Sequence, residues 1–73
     1  MQSSHPLAVF GKRLRELRLK RKVSQEKLAE MAELHRNYVG LMERGESNVS
    51  LLTLVALARA LGVRPAKLIE PVR

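Results

Sequence analysis

Residues 24–45 read SQEKLAEMAELHRNYVGLMERG, and this stretch decides the fold. It opens with Ser24, a residue type that caps helix N-termini by accepting a backbone hydrogen bond. Apolar residues then recur at helical spacing, slip out of phase at Glu33 and Leu34, and resume at Val39. A helical period that is interrupted and restarted predicts two short helices joined by a tight turn, which we place at residues 25–32 and 36–44.

The segment upstream predicts a first helix. Phe10, Leu14 and Leu17 recur at i, i+4 and i+7, while charged residues fill the opposite side. We therefore expect a helix over residues 7–21, preceded by a flexible arm at residues 1–6.

Two more helices are expected downstream. Gly45 is the residue type that most readily takes the left-handed conformation after a helix, and Ser50 is a good cap for the next one. That helix ends at Gly62, and Pro65 suits the first turn of a last helix that reaches about residue 70. The apolar stripe of the fourth helix, which begins after Ser50, consists of Leu51, Leu54, Leu57, Ala58 and Leu61. Five helices without a strand pattern predict an all-α orthogonal bundle with a helix-turn-helix, as one domain over residues 7–73.

The composition argues against an enzyme. The chain has 73 residues, no Cys, two His, and seven acidic residues that are all Glu. It is too short for a second core, and without Cys it has neither disulfides nor a thiolate metal site, which favours an intracellular, cytoplasmic protein. His5 and His35 stand far apart without recognisable partners, so we expect no catalysis, no metal and no cofactor.

The charge points to a polyanion as the partner. The chain carries a net charge of +7 and a pI near 10.9, yet 45% of its residues are apolar, so the charge belongs to a folded body. With 3% aromatic residues it is poorly equipped to stack on RNA bases. The longest apolar stretch, residues 51–58, is too short for a transmembrane helix, and we expect no membrane partner.

Four stretches together resemble the phage-repressor (Xre/Cro) family of helix-turn-helix DNA-binding proteins. They are FGKRLRELR at residues 10–18, SQEKLA at 24–29, VGLMERG at 39–45 and LLTLVALARALGV at 51–63. The runs LHRNYV at 34–39 and NVSL at 48–51, together with the short length, are similar to controller proteins of restriction–modification systems. The resemblance implies a lambda-repressor-like fold and a transcriptional regulator of double-stranded DNA, prokaryotic or phage in origin and associated with the nucleoid.

The second helix of the motif is the candidate reader of base sequence. An α-helix fits the major groove of B-DNA and reaches base edges with its N-terminal side chains. Arg36 pairs well with guanine and Asn37 with adenine, although either could contact phosphate instead. Tyr38 could contact a phosphate or a thymine methyl group, or could pack in the core. Leu41 could meet thymine or be partly buried.

Further contacts to the DNA backbone are expected around this helix. Gln25 opens the first helix of the motif, where free N–H groups favour phosphate, and the resemblance also places a DNA contact there. His35 stands at an N-cap position as a weak cap, so it could contact phosphate or be an ordinary surface residue. Arg44, Ser47 and Asn48 follow the reading helix and suit contacts that set the register.

Two local features are expected inside the motif. The resemblance implies that Arg18 and Glu43 form a partly buried ion pair, which is structural and not catalytic. Glu33 stands at the turn, where Gly or Asn is common, and a positive φ there would cost roughly 1 kcal/mol.

An apolar row on the fourth helix predicts assembly. Leu52 and Val55 form a second row that one side of a small bundle cannot easily cover, unless it completes a monomer core. We expect a two-fold homodimer that places two reading helices about one DNA turn, roughly 34 Å, apart on a pseudo-palindromic operator. The other residues expected there are Val63, Leu68, Ile69 and Val72.

The regulator is expected to act by occupying a promoter. RNA polymerase is a further candidate partner, through an exposed acidic residue such as Glu30, Glu33 or Glu46. The alternative function is an antitoxin-like module, or another protein-interaction module, that binds DNA secondarily.

Overall fold

Residues 5–70 are described by a computed structural model, and within them the chain forms five α-helices. The helices are α1 (Pro6–Arg21), α2 (Gln25–Ala32), α3 (Arg36–Glu43), α4 (Leu51–Leu61) and α5 (Pro65–Ile69). No strand occurs in this range. The all-α five-helix fold with a helix-turn-helix is therefore confirmed, and the helix ends lie within one residue of the predicted ones. Each of the five helices in residues 5–70 is too short or too polar to span a lipid bilayer.

The core receives a large apolar side chain from every helix. Six such side chains are almost completely shielded from solvent: Leu14, Leu28, Val39, Met42, Leu57 and Leu68. Fully burying one Leu contributes about 1.5–3 kcal/mol, so these residues carry much of the stability of so small a domain. Their burial holds α2 and α3 in one rigid unit with α1 and α4.

Two expectations about apolar residues are wrong. Leu68 was expected at the dimer surface, but it is 0% exposed because α5 packs this side chain into the core between α1 and α4. Leu51 was expected in the buried stripe of α4, but it is 72% exposed. It lies in the first turn of α4, where it borders an open groove instead of lying beneath another helix. Val72 lies outside the described residues.

The beginnings of the helices follow local capping chemistry. Ser24 accepts a hydrogen bond from the Lys27 amide at 2.9 Å, and Ser50 accepts one from the Thr53 amide at 3.0 Å, as predicted. His5 caps α1, because its Nδ1 accepts from the Leu7 amide at 3.1 Å. The expectation that residues 5 and 6 belong to a flexible arm is therefore wrong; residues 1–4 lie outside the described range.

Two turns place non-glycine residues in the left-handed region. Glu33 has a φ of 59° between α2 and α3, which is the strained geometry considered for it, and Lys22 has a φ of 64° after α1. At each position the strain costs roughly 1–2 kcal/mol. The backbone N–H of Leu34 donates to the Ala29 carbonyl at 2.8 Å and closes the turn, so α3 leaves α2 at a defined angle.

Candidate nucleic-acid interface

The N-terminal turns of α2 and α3 border one open groove of about 790 Å³. Gly40 of α3 also lines it, and the side chains of Gln25 on α2 and Arg44 at the end of α3 lie closest to the position that a Cβ of residue 40 would take. Five of the residues predicted to contact DNA line this groove: Gln25, Arg36, Asn37, Leu41 and Arg44. Arg18, Ser24 and Glu26 complete its lining. The fold thus gathers the central part of the predicted site on one surface.

Arg36 and Asn37 occupy the first turn of α3 and are exposed. The Arg36 side chain is 64% exposed, and its Nη1 lies 3.6 Å from Oε2 of Glu26 on α2. Both side chains therefore project from the end of the helix that can approach base edges first.

His35 fixes the start of α3. Its Nδ1 accepts a hydrogen bond from the Asn37 amide at 3.1 Å, in the manner of a Ser or Asp cap. His35 thus caps α3, but through the amide two residues on, whereas Ser24 and Ser50 accept from the amide three residues on; that this cap is a weak one stays a prediction. His35 itself is exposed beside Arg36, so a phosphate contact from it stays a prediction.

A buried hydrogen-bond network anchors Gln25. Arg18 Nε and Nη2 donate to the Glu43 carboxylate at 2.6 and 3.1 Å, which is the ion pair that the family resemblance implies. The side chains of the pair are only 10% and 3% exposed, respectively. Gln25 Nε2 also donates to this carboxylate, at 3.0 Å. An amide nitrogen carries two N–H groups, so Gln25 can donate once to Glu43 and once to an incoming phosphate.

Tyr38 ties α3 to the loop that follows it. The ring is half-buried against the core, and its hydroxyl donates to the Asn48 carbonyl at 2.9 Å. Ser47 Oγ donates to the same carbonyl at 3.3 Å. The sequence left open whether Tyr38 contacts DNA or packs in the core, and the structure favours packing. Ser47 and Asn48 lie in this loop rather than in the groove, and their proposed backbone contacts stay predictions.

Glu26 is a charged residue of the groove that the sequence did not single out as a site. Its carboxylate faces Arg36 across the groove. Glu26 and Arg36 are ten residues apart and lie on different helices, so no helical periodicity indicates the contact. As regards metals, residues 5–70 bring together no group of three or more His, Cys, Asp or Glu side chains that could hold an ion.

Residues 14–68 match the model of the helix-turn-helix family HTH_3. The chain belongs to this family of transcriptional regulators. It is 46% identical over 63 residues to the control protein C.BamHI of Bacillus amyloliquefaciens, covering 85% of this chain and 78% of that protein. The fold is similar to that of the restriction–modification controller protein C.AhdI from Aeromonas hydrophila, with a TM-score of 0.84 and 52% identity over 85% of this chain and 94% of that one.

A repressor bound to DNA has the same fold as this helix-turn-helix regulator. The P22 c2 repressor, in complex with a synthetic operator, matches with a TM-score of 0.79 and 31% identity, over 85% of this chain and 94% of that one. The names of these relatives describe controllers and a repressor, not enzymes. The comparisons therefore support a DNA-binding transcriptional regulator, and which of its residues contact DNA stays a prediction.

Proposed function

We propose that this regulator is a restriction–modification controller protein that binds a pseudo-palindromic DNA operator as a homodimer. The observation that carries the proposal is the groove between α2 and α3, where Arg36 and Asn37 stand exposed on the first turn of the reading helix. The net charge of +7 supplies the electrostatic part of the affinity. Similarity to the two controller proteins supports the assignment to that class.

The dimensions of α3 suit the major groove. An α-helix with its side chains is about 10–12 Å across, comparable with the roughly 12 Å width of the groove, so the eight-residue α3 can lie in it. In this arrangement Arg36 donates to guanine and Asn37 pairs with adenine, while Leu41 meets a thymine methyl group. Gln25 and the N-terminus of α2 bind phosphate, with Arg44 setting the register from the other end of α3. Base contacts give specificity and phosphate contacts give position.

The homodimer is supported by apolar side chains that the monomer leaves exposed. Leu52 is 82% exposed and Ile69 is 62% exposed, and Val55 and Val63 are only partly covered. Leu51 and Ile69 line a groove of about 360 Å³ between α1, α4 and α5, on a different surface from the DNA-binding groove. A second copy of the chain would bury this apolar surface and leave both reading helices free.

Regulation by such a dimer follows from occupancy of a promoter in the cytoplasm. A dimer that covers a promoter blocks polymerase, and one bound upstream can contact it. Glu30, Glu33 and Glu46 are exposed acidic residues that could make such a contact.

Selection of bound sequences from a random duplex pool tests the proposed function. At about 150 mM salt, where non-specific binding is weakened, we expect enrichment of an inverted repeat with half-sites about one helical turn apart. A pool without enrichment, combined with binding that disappears as salt rises, would contradict sequence-specific regulation. It would favour a protein-interaction module such as an antitoxin.

Replacing Leu52 by Glu is expected to abolish dimerisation without unfolding the domain. Because Leu52 is 82% exposed in the monomer, the charge is tolerated there but is costly in an apolar interface. Sedimentation should show twice the 8.3 kDa chain mass for the parent and the single mass for Leu52→Glu. Leu19→Glu is the matched control, since Leu19 is a 52% exposed Leu on α1. Equal association of all three proteins would refute the interface.

A further inference from the structure

Glu26 presents a negative charge on a surface that otherwise suits a polyanion. Its side chain is 74% exposed, and it is the single acidic residue among those that line the groove between α2 and α3. Near phosphates this carboxylate lowers the affinity for every DNA sequence, because like charges repel. Its position therefore calls for a compensating advantage.

The neighbour of Glu26 in the groove suggests that advantage. Oε2 of Glu26 lies 3.6 Å from Nη1 of Arg36, the side chain proposed to read guanine. An ion pair as exposed as this one adds little to the stability of the fold. It does restrict the guanidinium, which otherwise samples many rotamers and can reach phosphates as well as bases.

We infer that Glu26 is a positioning residue that sets base specificity by holding Arg36 toward the base edges. This inference rests on the proposed DNA-binding function. Two effects act in the same direction. Restricting Arg36 before binding reduces the entropy lost when it forms its bidentate contact, and this favours the cognate base pair. The carboxylate also disfavours DNA poses in which a phosphate, rather than a base, occupies the position beside Arg36.

The chain offers a matched control on the same helix. Glu30 lies one turn after Glu26, its side chain is 72% exposed, and its carboxylate pairs with Lys27 Nζ at 3.1 Å. Glu30 does not line the groove. Glu26→Gln and Glu30→Gln therefore make the same change of charge on α2, but only the first removes a partner of Arg36.

The test measures binding of four variants to three duplexes at one salt concentration. The proteins are Glu26→Gln, Glu30→Gln, Arg36→Ala and the double variant Glu26→Gln/Arg36→Ala, beside the parent. The duplexes are the selected operator, the operator changed at the base pair where Arg36→Ala loses discrimination, and random DNA. For Glu26→Gln we expect affinity for random DNA to rise about 2–5-fold and discrimination at that base pair to fall about 5–10-fold. Glu30→Gln should change either quantity less than about 2-fold.

The double variant distinguishes positioning from direct contact. If Glu26 acts through Arg36, Glu26→Gln changes discrimination in the parent but not in Arg36→Ala. A further loss of discrimination when Glu26→Gln is added to Arg36→Ala would show that Glu26 itself contacts a base, and the inference would be wrong. It would equally be wrong if Glu26→Gln raised affinity for all three duplexes alike. A parent without any preferred sequence would overturn the proposed function instead, so the two failures are distinguishable.

Discussion

Arg18→Met is expected to lower the free energy of unfolding by about 3–5 kcal/mol, because it leaves the Glu43 carboxylate buried without its countercharge. The Glu43 side chain is only 3% exposed and accepts two hydrogen bonds from Arg18. Gln25 can supply one neutral donor but no charge. At 0.05–0.15 kcal/mol per residue, the whole domain has a stability of only about 4–11 kcal/mol, so a loss of this size removes a large part of it and should lower the melting temperature markedly.

Urea and thermal unfolding check this expectation. Lys27→Met is the matched control, because Lys27 and Glu30 form an exposed pair on α2 whose loss should cost less than about 0.5 kcal/mol. The double variant Arg18→Met/Glu43→Leu should recover much of the loss, since it removes the buried charge together with its partner. Similar stabilities for Arg18→Met and Lys27→Met would show that the buried pair does not hold α1 to α3.

Gly11→Ala is expected to lower the free energy of unfolding by about 3 kcal/mol, although Ala favours a helix over Gly by about 1 kcal/mol. A Cβ at residue 11 would lie 2.5 Å from the carbonyl oxygens of both Met42 and Glu43. These atoms belong to the backbone of α3 and cannot rotate away as a side chain can. The methyl group would therefore force α1 and α3 apart around residue 11 and disturb the Arg18–Glu43 pair between the same helices.

Gly40→Ala is the control for Gly11→Ala. Gly40 is also a buried helical Gly, but its added Cβ would meet side-chain ends, with Arg44 Nη1 at 3.3 Å and Gln25 Oε1 at 3.5 Å. These side-chain ends can shift, so we expect a free energy of unfolding within about 1 kcal/mol of the parent's value. It could also exceed that value, because Ala favours a helix over Gly. Thermal unfolding of both variants tests this expected difference in stability. A melting temperature for Gly11→Ala equal to that of Gly40→Ala would contradict the tight backbone packing.

The sequence predicted those parts of the site that depend on local chemistry. Ser24 and Ser50 cap their helices, and Pro65 begins the last one, because these preferences act within one turn. The placement of Arg36 and Asn37 on the first turn of α3 follows from the same local signals. The family motif added the pairing of Arg18 with Glu43, which no local rule indicates.

The sequence failed where an unusual residue performs a common local task. His5 and His35 cap helices through Nδ1, a role that is normally filled by shorter oxygen-bearing side chains. Lys22 takes a left-handed conformation that Gly or Asn adopts more readily. In each case the backbone takes the conformation of a helix end with a residue type that is not the preferred one there, so residue preference alone does not indicate the role.

By itself, the sequence determined the number and type of the helices and the position of α3, because these depend on residues within a few positions of one another. The positive charge follows from the composition alone. Only the tertiary structure decided that Leu68 is buried while Leu51 is exposed, since both are apolar residues at helical spacing. It also decided that Glu26 stands beside Arg36, ten residues away. Burial and contact depend on which helix packs over which, and that is settled by the bundle as a whole.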